Sequence, residues 1–590
     1  MAARLRIVSS PFRLTGDVDL THLSALVAAD ATRRWAEANG TTVEWMATAL
    51  SGDLASQHAA ERELLREGFD RSSIDREGFV DRVRAVEAAS RADLEALLAE
   101  LGVALDLGSS PIDGEACALA ARTAFVRLYD GGLVHLAERV METCPRCMTV
   151  VEQADADPAE LDADVVTLRL PLLDIDDAAT LDVDVVALEL LAGAVGVVVP
   201  EGHPAAGGRV DLPLGKGEGP VVGVPDVSIP WFVVPAHDAA ALDLARANGL
   251  GSVEVLDEEG IVVATGPLLG LGRYAARVAA AGIVESAGLV VGGCVGLEAV
   301  SRCRRCSTVL VPRLGRHWFL DMHDLEVAAA DVVREGHVVF APPVAMDGFL
   351  ERAGAGGEWC LSHQVEAGQP VPVATCLDCG TVAPSVEDEA SCGACMGTLA
   401  PDTAVLDARF LAAVWPLAAA GWPADEATVV ELALDSTLVV NRSGIAAWAV
   451  PMAALGLRLA GVVPFGRLSV NETMAPSTAA ADPTITELRD LVSIHGRAVV
   501  RTALVAGDMD LVQAGRLVDG IERPTGVVRA EAGEDADAEA FAALVETCRS
   551  AYEAATPGSA VPLLTGAVAD GIPADELAVL TPLVAPVVGS

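Results

Sequence analysis

Residues 144–147 read CPRC and residues 303–306 read CRRC, while 376–379 read CLDC and 392–395 read CGAC. Two thiolates at C-x-x-C spacing form a knuckle whose sulfurs share one tetrahedral metal, and two knuckles complete a four-cysteine site. Between Cys379 and Cys392 lie 12 residues, the compact spacing of a zinc ribbon. Between Cys147 and Cys303 lie 155, so pairing these knuckles inserts a whole domain between the halves of one metal site. Disulfides are disfavoured in a reducing compartment, and a redox C-x-x-C does not account for four copies. The spacing therefore predicts two structural zinc sites: Cys144, Cys147, Cys303 and Cys306 in one, and Cys376, Cys379, Cys392 and Cys395 in the other. Cys117, Cys294, Cys360 and Cys548 have no sequence partner and read as buried thiols.

Outward from these motifs, 590 residues predict three to five domains. The hydrophobic fraction is 52%, enough for large cores, and 84 acidic residues against 40 basic ones set the net charge at -44. Lys216 is the single lysine, so 39 of the 40 basic residues are arginine. Such a chain repels polyanions overall, and chemistry that needs a lysine has only Lys216. Mean hydropathy is +0.41, yet the longest apolar run, Gly444 to Leu457, falls short of the roughly 20 residues of a spanning helix. With no apolar stretch behind MAARLRIVSSPF, the expected location is cytoplasmic, with no membrane partner.

Strand, turn and helix patterns follow one another over 4–45, and helical patterning dominates 56–140. From 160 to 270 short Val-rich runs (VVTLRL, GAVGVVVP, WFVVP) alternate with Gly, Pro and Asp and read as strands. Mixed patterns return over 308–470. Helical patterning resumes after about 484, and an acidic loop is expected at 530–539.

The segments FVRLYDGGLVHLAERVMETCPRCMT, VVPAHDAAALDLARANGL, RCRRCSTVLVPRLGRHWFLDM, EWCLSHQ, VATCLDCG, VLDARFLAAVWPLAAAGWP and LAGVVPFGRLSV occur in this order. Their sequence resembles the valyl-tRNA synthetases, class I aminoacyl-tRNA synthetases, with the isoleucyl enzymes close behind, over roughly residues 5–480. The resemblance implies an α/β fold: a class I Rossmann-like core split by a β-rich editing-like domain and two zinc ribbons, followed by a short helical C-terminal region. The expected division is core at 1–143, first zinc strands at 144–160, editing-like domain at 161–295, and return of the insertion at 296–375. The second zinc ribbon follows at 376–400, the second half of the core at 401–480, and a shortened helical region at 481–590.

The departures from that family carry the functional reading. Its H-x-G-H signature, which supports ATP phosphates, matches Asp19-Leu20-Thr21-His22, so only His22 remains. Its lysine-bearing K-M-S-K-S loop matches Thr473-Met474-Ala475-Pro476-Ser477, without either lysine. One lost oxyanion-type donor already costs about 10²–10³ in rate. The amino-group motif matches Thr48 to Asp53, where Asp53 is a candidate replacement carboxylate. The ribose motif matches Asn441-Arg442-Ser443, and Trp448 matches a pocket-lining tryptophan. The editing motif Thr-Thr-Arg-Pro matches Asp184-Val185-Val186-Ala187, leaving Asp238 as the remnant of the editing site. Arg13, Arg409 and Arg442 stand around the old pocket, where guanidinium forks suit carboxylate or phosphate.

These residues predict a catalytically degenerate synthetase-like protein that binds a small molecule, in one reading an anion, or a protein partner. The resemblance casts doubt on ATP as a cofactor, and the short acidic tail argues against tRNA. Two alternatives stand beside this reading: a ligase that activates a carboxylate by altered chemistry, and a free-standing hydrolase of aminoacyl esters acting through Asp238.

Overall fold

The computed structural model describes residues 4–15, 20–107, 111–173, 179–387, 390–471 and 485–497, with 500, 501 and 504. The chain forms two compact units, one of Met1–His135, Phe319–Ser362 and Glu366–Ser590, the other of Leu136–Trp318 with His363–Val365.

The first unit is built on five parallel strands in the order Val339–Ala341, Arg467–Asn471, Ser436–Asn441, Arg4–Ser9, Thr42–Met46. Strands buried on both faces need continuous apolar runs rather than alternation. Ser436–Asn441 (STLVVN) is buried at every position and supplies one. The strand Arg4–Ser9 has Thr42–Met46 on one side and Ser436–Asn441 on the other, which makes its carboxyl end the topological switch point where ligands bind in such sheets. Arg6, buried within this strand, donates to Glu44 (3.1 Å), Asp435 (2.8 Å) and Glu431 (3.3 Å), tying three elements together.

The crossover helix Leu20–Ala38 is buried along most of its length. It carries the buried Asp30, whose carboxylate holds Arg33, Arg34 and the equally buried Arg501 at 2.7–2.8 Å. Removing one partner from such a network strands a buried charge. The helix Leu54–Arg66 starts at Asp53, and the helix Arg76–Glu100 packs against it. Helical structure over Arg442–Ala460 is longer than the apolar run suggested. It is long and apolar enough to cross a membrane, but 61% of its window is buried within the fold, as in a core helix. Five of its residues, Ile445–Ala449, form a π-helical turn.

The module carrying Cys376, Cys379, Cys392 and Cys395 is a three-stranded sheet of Val373–Cys376 flanked by Val382–Pro384 and Leu399–Pro401. In the C-terminal region the described helix is Ile485–His495. Residues 505–590, including the acidic loop expected at 530–539 and Cys548, lie outside the described residues, as does the stretch Thr473–Ser477.

The second unit is β-rich. One sheet orders Trp231–Val233, Gly196–Pro200, Gly217–Val224 and Arg209–Leu212, and another orders Val290–Cys303, Ala156–Pro171 and Thr180–Val185. Alternation in TLDVDV turns Leu181, Val183 and Val185 into a shared core with Leu168, Leu170, Val197, Val199 and Val210. The helix Arg273–Ser286 closes that core with Ala276, Ala280 and Val284.

Three readings need correction. Helical patterning was expected to residue 140, but a strand begins at Val134, because LVHLAERVME alternates where the preceding helix has ended at Gly131 and Gly132. A helix, Ala239–Ala247, interrupts the β-rich region where Asp238 caps an alanine-rich run. Cys117 and Cys360 are buried as expected, but Cys294 is exposed, since its strand is the outer one of its sheet.

Candidate functional site

In the second unit the sulfurs of Cys144 and Cys306 lie 3.4 Å apart and those of Cys147 and Cys306 3.7 Å, with Cys303 completing the cluster. In the first unit Cys376 and Cys395 lie 3.5 Å apart and Cys379 and Cys392 3.7 Å. Four sulfurs about 2.3 Å from one tetrahedral zinc stand about 3.8 Å from each other, so both clusters fit that ion. Both are far wider than a disulfide of about 2.05 Å.

The backbone around the sulfurs is shaped for the same purpose. Each knuckle closes through a hydrogen bond from the residue after its second cysteine to the carbonyl of its first. These run from Met148 to Cys144 (2.8 Å), Ser307 to Cys303 (2.8 Å), Gly380 to Cys376 (2.9 Å) and Met396 to Cys392 (2.7 Å). All four closing residues have positive φ: 52°, 58°, 72° and 60°. Thr308 and Thr381 place hydroxyls 3.2 and 3.1 Å from the Cys306 and Cys379 sulfurs. Such partners tune a metal thiolate.

At the carboxyl end of the parallel sheet, Ser9 ends the strand Arg4–Ser9 and Ser10 follows it. The Ser9 hydroxyl accepts from the Trp45 indole N–H at 2.9 Å, and Ser10 Oγ lies 3.1 Å from His22 Nε2. His22 stands between Phe12 and Trp448, with ring centroids 5.6 and 6.3 Å away. Trp448 is buried in the π-helical turn, a feature often found at functional sites. Asn441 Oδ1 accepts from the Gly444 N–H (2.7 Å) and the Ser443 hydroxyl (2.9 Å). The Asn471 amide donates to Ser24, whose hydroxyl donates to the Leu504 carbonyl.

Besides His22 and Trp448, a second pair of sequence-predicted residues comes together: Arg13 Nε pairs with Asp53 at 3.3 Å. Asp53 also caps the helix Leu54–Arg66 by accepting from the Ser56 N–H at 2.8 Å. Arg409 pairs with Asp407 at 2.9 Å and lies over the Trp359 ring at 5.9 Å, while Arg442 is exposed at the start of its helix. Of the three arginines expected around the pocket, Arg13 and Arg409 each face a carboxylate of this chain. Sequence reasoning missed Glu87. Its buried carboxylate accepts from the Ser51 hydroxyl and the Gly52 N–H, both at 2.7 Å, and burial holds it above the usual carboxylate range. One signal was available: Glu87 falls on the face of its helix shared by Phe79, Val83, Val86 and Leu94.

A cavity of about 630 Å³ opens inside the second unit. Asp238 does not line it. That carboxylate is exposed and accepts from the Ala241 N–H at 2.7 Å as a helix cap. Its neighbour His237 lines the cavity instead. His237 Nδ1 donates to the Pro312 carbonyl (2.7 Å), and Nε2 accepts from the Val255 and Leu256 N–H groups (3.1 and 3.4 Å). Burial holds this imidazole down at about 4, so it is neutral and fully engaged. Beside it Arg273 reaches Glu189 at 3.2 Å, and Arg277 grips the same buried carboxylate at 2.7 and 2.8 Å. Asp184 accepts from Thr167 on an exposed strand face.

A family model described as tRNA synthetases class I (I, L, M and V) matches residues 3–475. A valine–tRNA ligase from Geobacter sulfurreducens is 30% identical over 477 residues, covering 79% of this chain and 54% of its own. That from Syntrophotalea carbinolica is 29% identical over 471 residues, covering 78% and 52%. The chain thus spans about half the length of the curated relatives it matches. The structure of Mycobacterium tuberculosis methionyl-tRNA synthetase bound by methionyl-adenylate has a TM-score of 0.50 at 11% identity, covering 96% of this chain and 82% of that one, a likeness of fold alone. By its family match over residues 3–475, the chain belongs to the class I tRNA synthetases.

Proposed function

We propose that this chain is a catalytically degenerate valyl-tRNA synthetase-like protein, a pseudoenzyme that serves as a ligand-binding or protein-interaction module. The observation that carries this reading is the electrostatics of the strand ends. The chain's single lysine, Lys216, lies half-buried in the second unit and donates to the Thr265 carbonyl, while two of the arginines around the switch point are neutralised by Asp53 and Asp407. Adenylation needs cations on a triphosphate and on its pyrophosphate leaving group, aligned before reaction. Neither Asp19 nor the stretch Thr473–Ser477 provides one.

What remains at the switch point is the aromatic group of Phe12, His22 and Trp448, which suits the flat face of a small molecule. An anionic ligand there would have to compete with Asp53 and Asp407 for their arginines. ATP and tRNA are not part of this reading, and zinc serves structure only.

ATP–pyrophosphate exchange over all twenty amino acids tests the proposal, with no exchange above background expected. Robust exchange with any amino acid overturns it in favour of a ligase of altered chemistry, a reading favoured by the retained contact of His22 with Ser10. The hydrolase alternative is weakened by Asp238, whose carboxylate caps a helix away from the cavity.

A further inference from the structure

The strands Ala156–Pro171 and Val290–Cys303 pair antiparallel along nearly their whole length, with Asp164 opposite Val295, Asp162 opposite Leu297 and Glu160 opposite Ala299. Directly opposed residues share a face of a sheet. That face therefore carries a row of exposed carboxylates, Glu160, Asp162 and Asp164, beside two exposed apolar side chains, Val295 at 73% and Leu297 at 65% exposure. At its Glu298 end the opposite face turns inward, as the bond from Arg277 to Glu298 shows. Val290–Cys303 is the outer strand of its sheet, and among the described residues no strand pairs with its free edge over 291–299.

An exposed edge of this length, with Glu298 as its one charged side chain over 291–299, is an invitation to strand addition. We infer that this edge is a docking site for an extended cationic protein segment whose alternate residues run apolar, apolar, basic, so that all three lie on one face. On an added strand, apolar residues on this face fall beside Val295 and Leu297. A lysine or arginine beside Ala299 meets a small side chain and reaches across it to Glu160, two strand spacings away, about 10 Å. Charge selects the occupant. The carboxylate row repels nucleic acid, and a second copy of a chain with net charge -44 brings more of the same sign. The inference is independent of whether the strand-end site of the first unit is active.

Fluorescence anisotropy of a labelled, capped heptapeptide with lysine at its first and last positions, valine at its third and fifth and threonine between them, with the full chain, tests it. Saturable binding is expected, weakened at least about tenfold by Leu297→Lys and by Asp162→Asn with Asp164→Asn. Serine in place of both valines should weaken binding by a similar factor, and glutamate in place of both lysines should abolish it. The charge-matched control Asp211→Asn with Glu201→Gln, elsewhere on the unit, should leave binding unchanged. Absence of binding overturns the inference. So does binding that the control weakens as much as the ribbon variants, which marks diffuse attraction to an acidic chain. Sedimentation of the free chain as a dimer that Leu297→Lys dissociates assigns the edge to a second copy and also overturns it.

Discussion

The sulfurs of Cys144 and Cys306 lie 3.4 Å apart although 162 positions separate them in the chain. Contact at that range brings four ionisable thiols together, and a bound cation is what makes such a cluster of thiolates stable. Elemental analysis of the purified protein should find two zinc ions per chain, one for each cluster. Cys306→Ser should leave one, and Cys379→Ser should leave the other. Since metal binding is coupled to folding, chelation should expose the amides around Val151 and Leu310, which pack on the first cluster, to hydrogen exchange. Retention of two zinc ions by Cys306→Ser would refute the assignment.

The closing residues of the knuckles give a second prediction. Outside glycine, left-handed backbone costs roughly 1–2 kcal/mol, and Met148, Ser307 and Met396 all adopt it. Met396 is largely exposed, so its side chain contributes little packing to offset that cost. Met396→Gly should therefore strengthen zinc retention in chelator competition by severalfold, equivalent to about 0.5–1 kcal/mol. Gly380→Ala, at the one knuckle that already has glycine, should weaken it by a similar amount. A change in the same direction from both substitutions would contradict the argument.

Both cysteine clusters could be read from spacing because a knuckle is a local structure: four residues fix two sulfurs, whatever surrounds them. The parallel core was legible for a related reason, since buried runs such as STLVVN declare themselves by composition. The candidate site was less legible, because its electrostatics depend on partners remote in sequence. Arg13 reads as a free guanidinium until Asp53 is placed beside it, 40 positions later. Asp238 reads as a catalytic remnant until the alanines after it form a helix that needs a cap. Glu189 and Arg277 meet only when the second unit closes its core. No periodicity reports such pairings.

Gly52 carries a third prediction. Its φ is +70°, and a Cβ there would lie 2.7 Å from the Gly368 Cα. The clash is with backbone, which cannot rotate away, and the N–H of the same residue is held by Glu87. Gly52→Ala should destabilise the first unit by about 2–3 kcal/mol, combining left-handed strain with displacement of the neighbouring loop. Denaturant unfolding followed by tryptophan fluorescence measures this. Gly40 also has positive φ but nothing within 4 Å, so Gly40→Ala should cost only the strain, about 1 kcal/mol. A cost at Gly40 as large as that at Gly52 would show that the approach of Gly368 contributes nothing.

The pH response of the second unit follows from His237. Burial holds its folded value down at about 4, whereas an unfolded histidine takes up a proton near 6.5. Between those values the unfolded chain binds the proton and the folded chain does not. Stability from this group is therefore complete above about 6.5, falls as pH drops towards 4, and is then exhausted, a loss of up to about 3 kcal/mol. His317, held down at about 4 mainly by burial, adds a loss of the same sign in the same window. Protonation of His237 also removes the acceptor that Nε2 offers to the Val255 and Leu256 N–H groups. Hydrogen exchange should accordingly report falling protection at Val255 between pH 6.5 and 4, ahead of amides near the other sheet. The cysteine clusters also titrate as pH falls, so the comparison that isolates His237 is with His237→Gln. That variant should lose stability at neutral pH yet show a shallower decline on acidification. An unchanged slope would mean that the buried imidazole is not what makes the unit acid-sensitive.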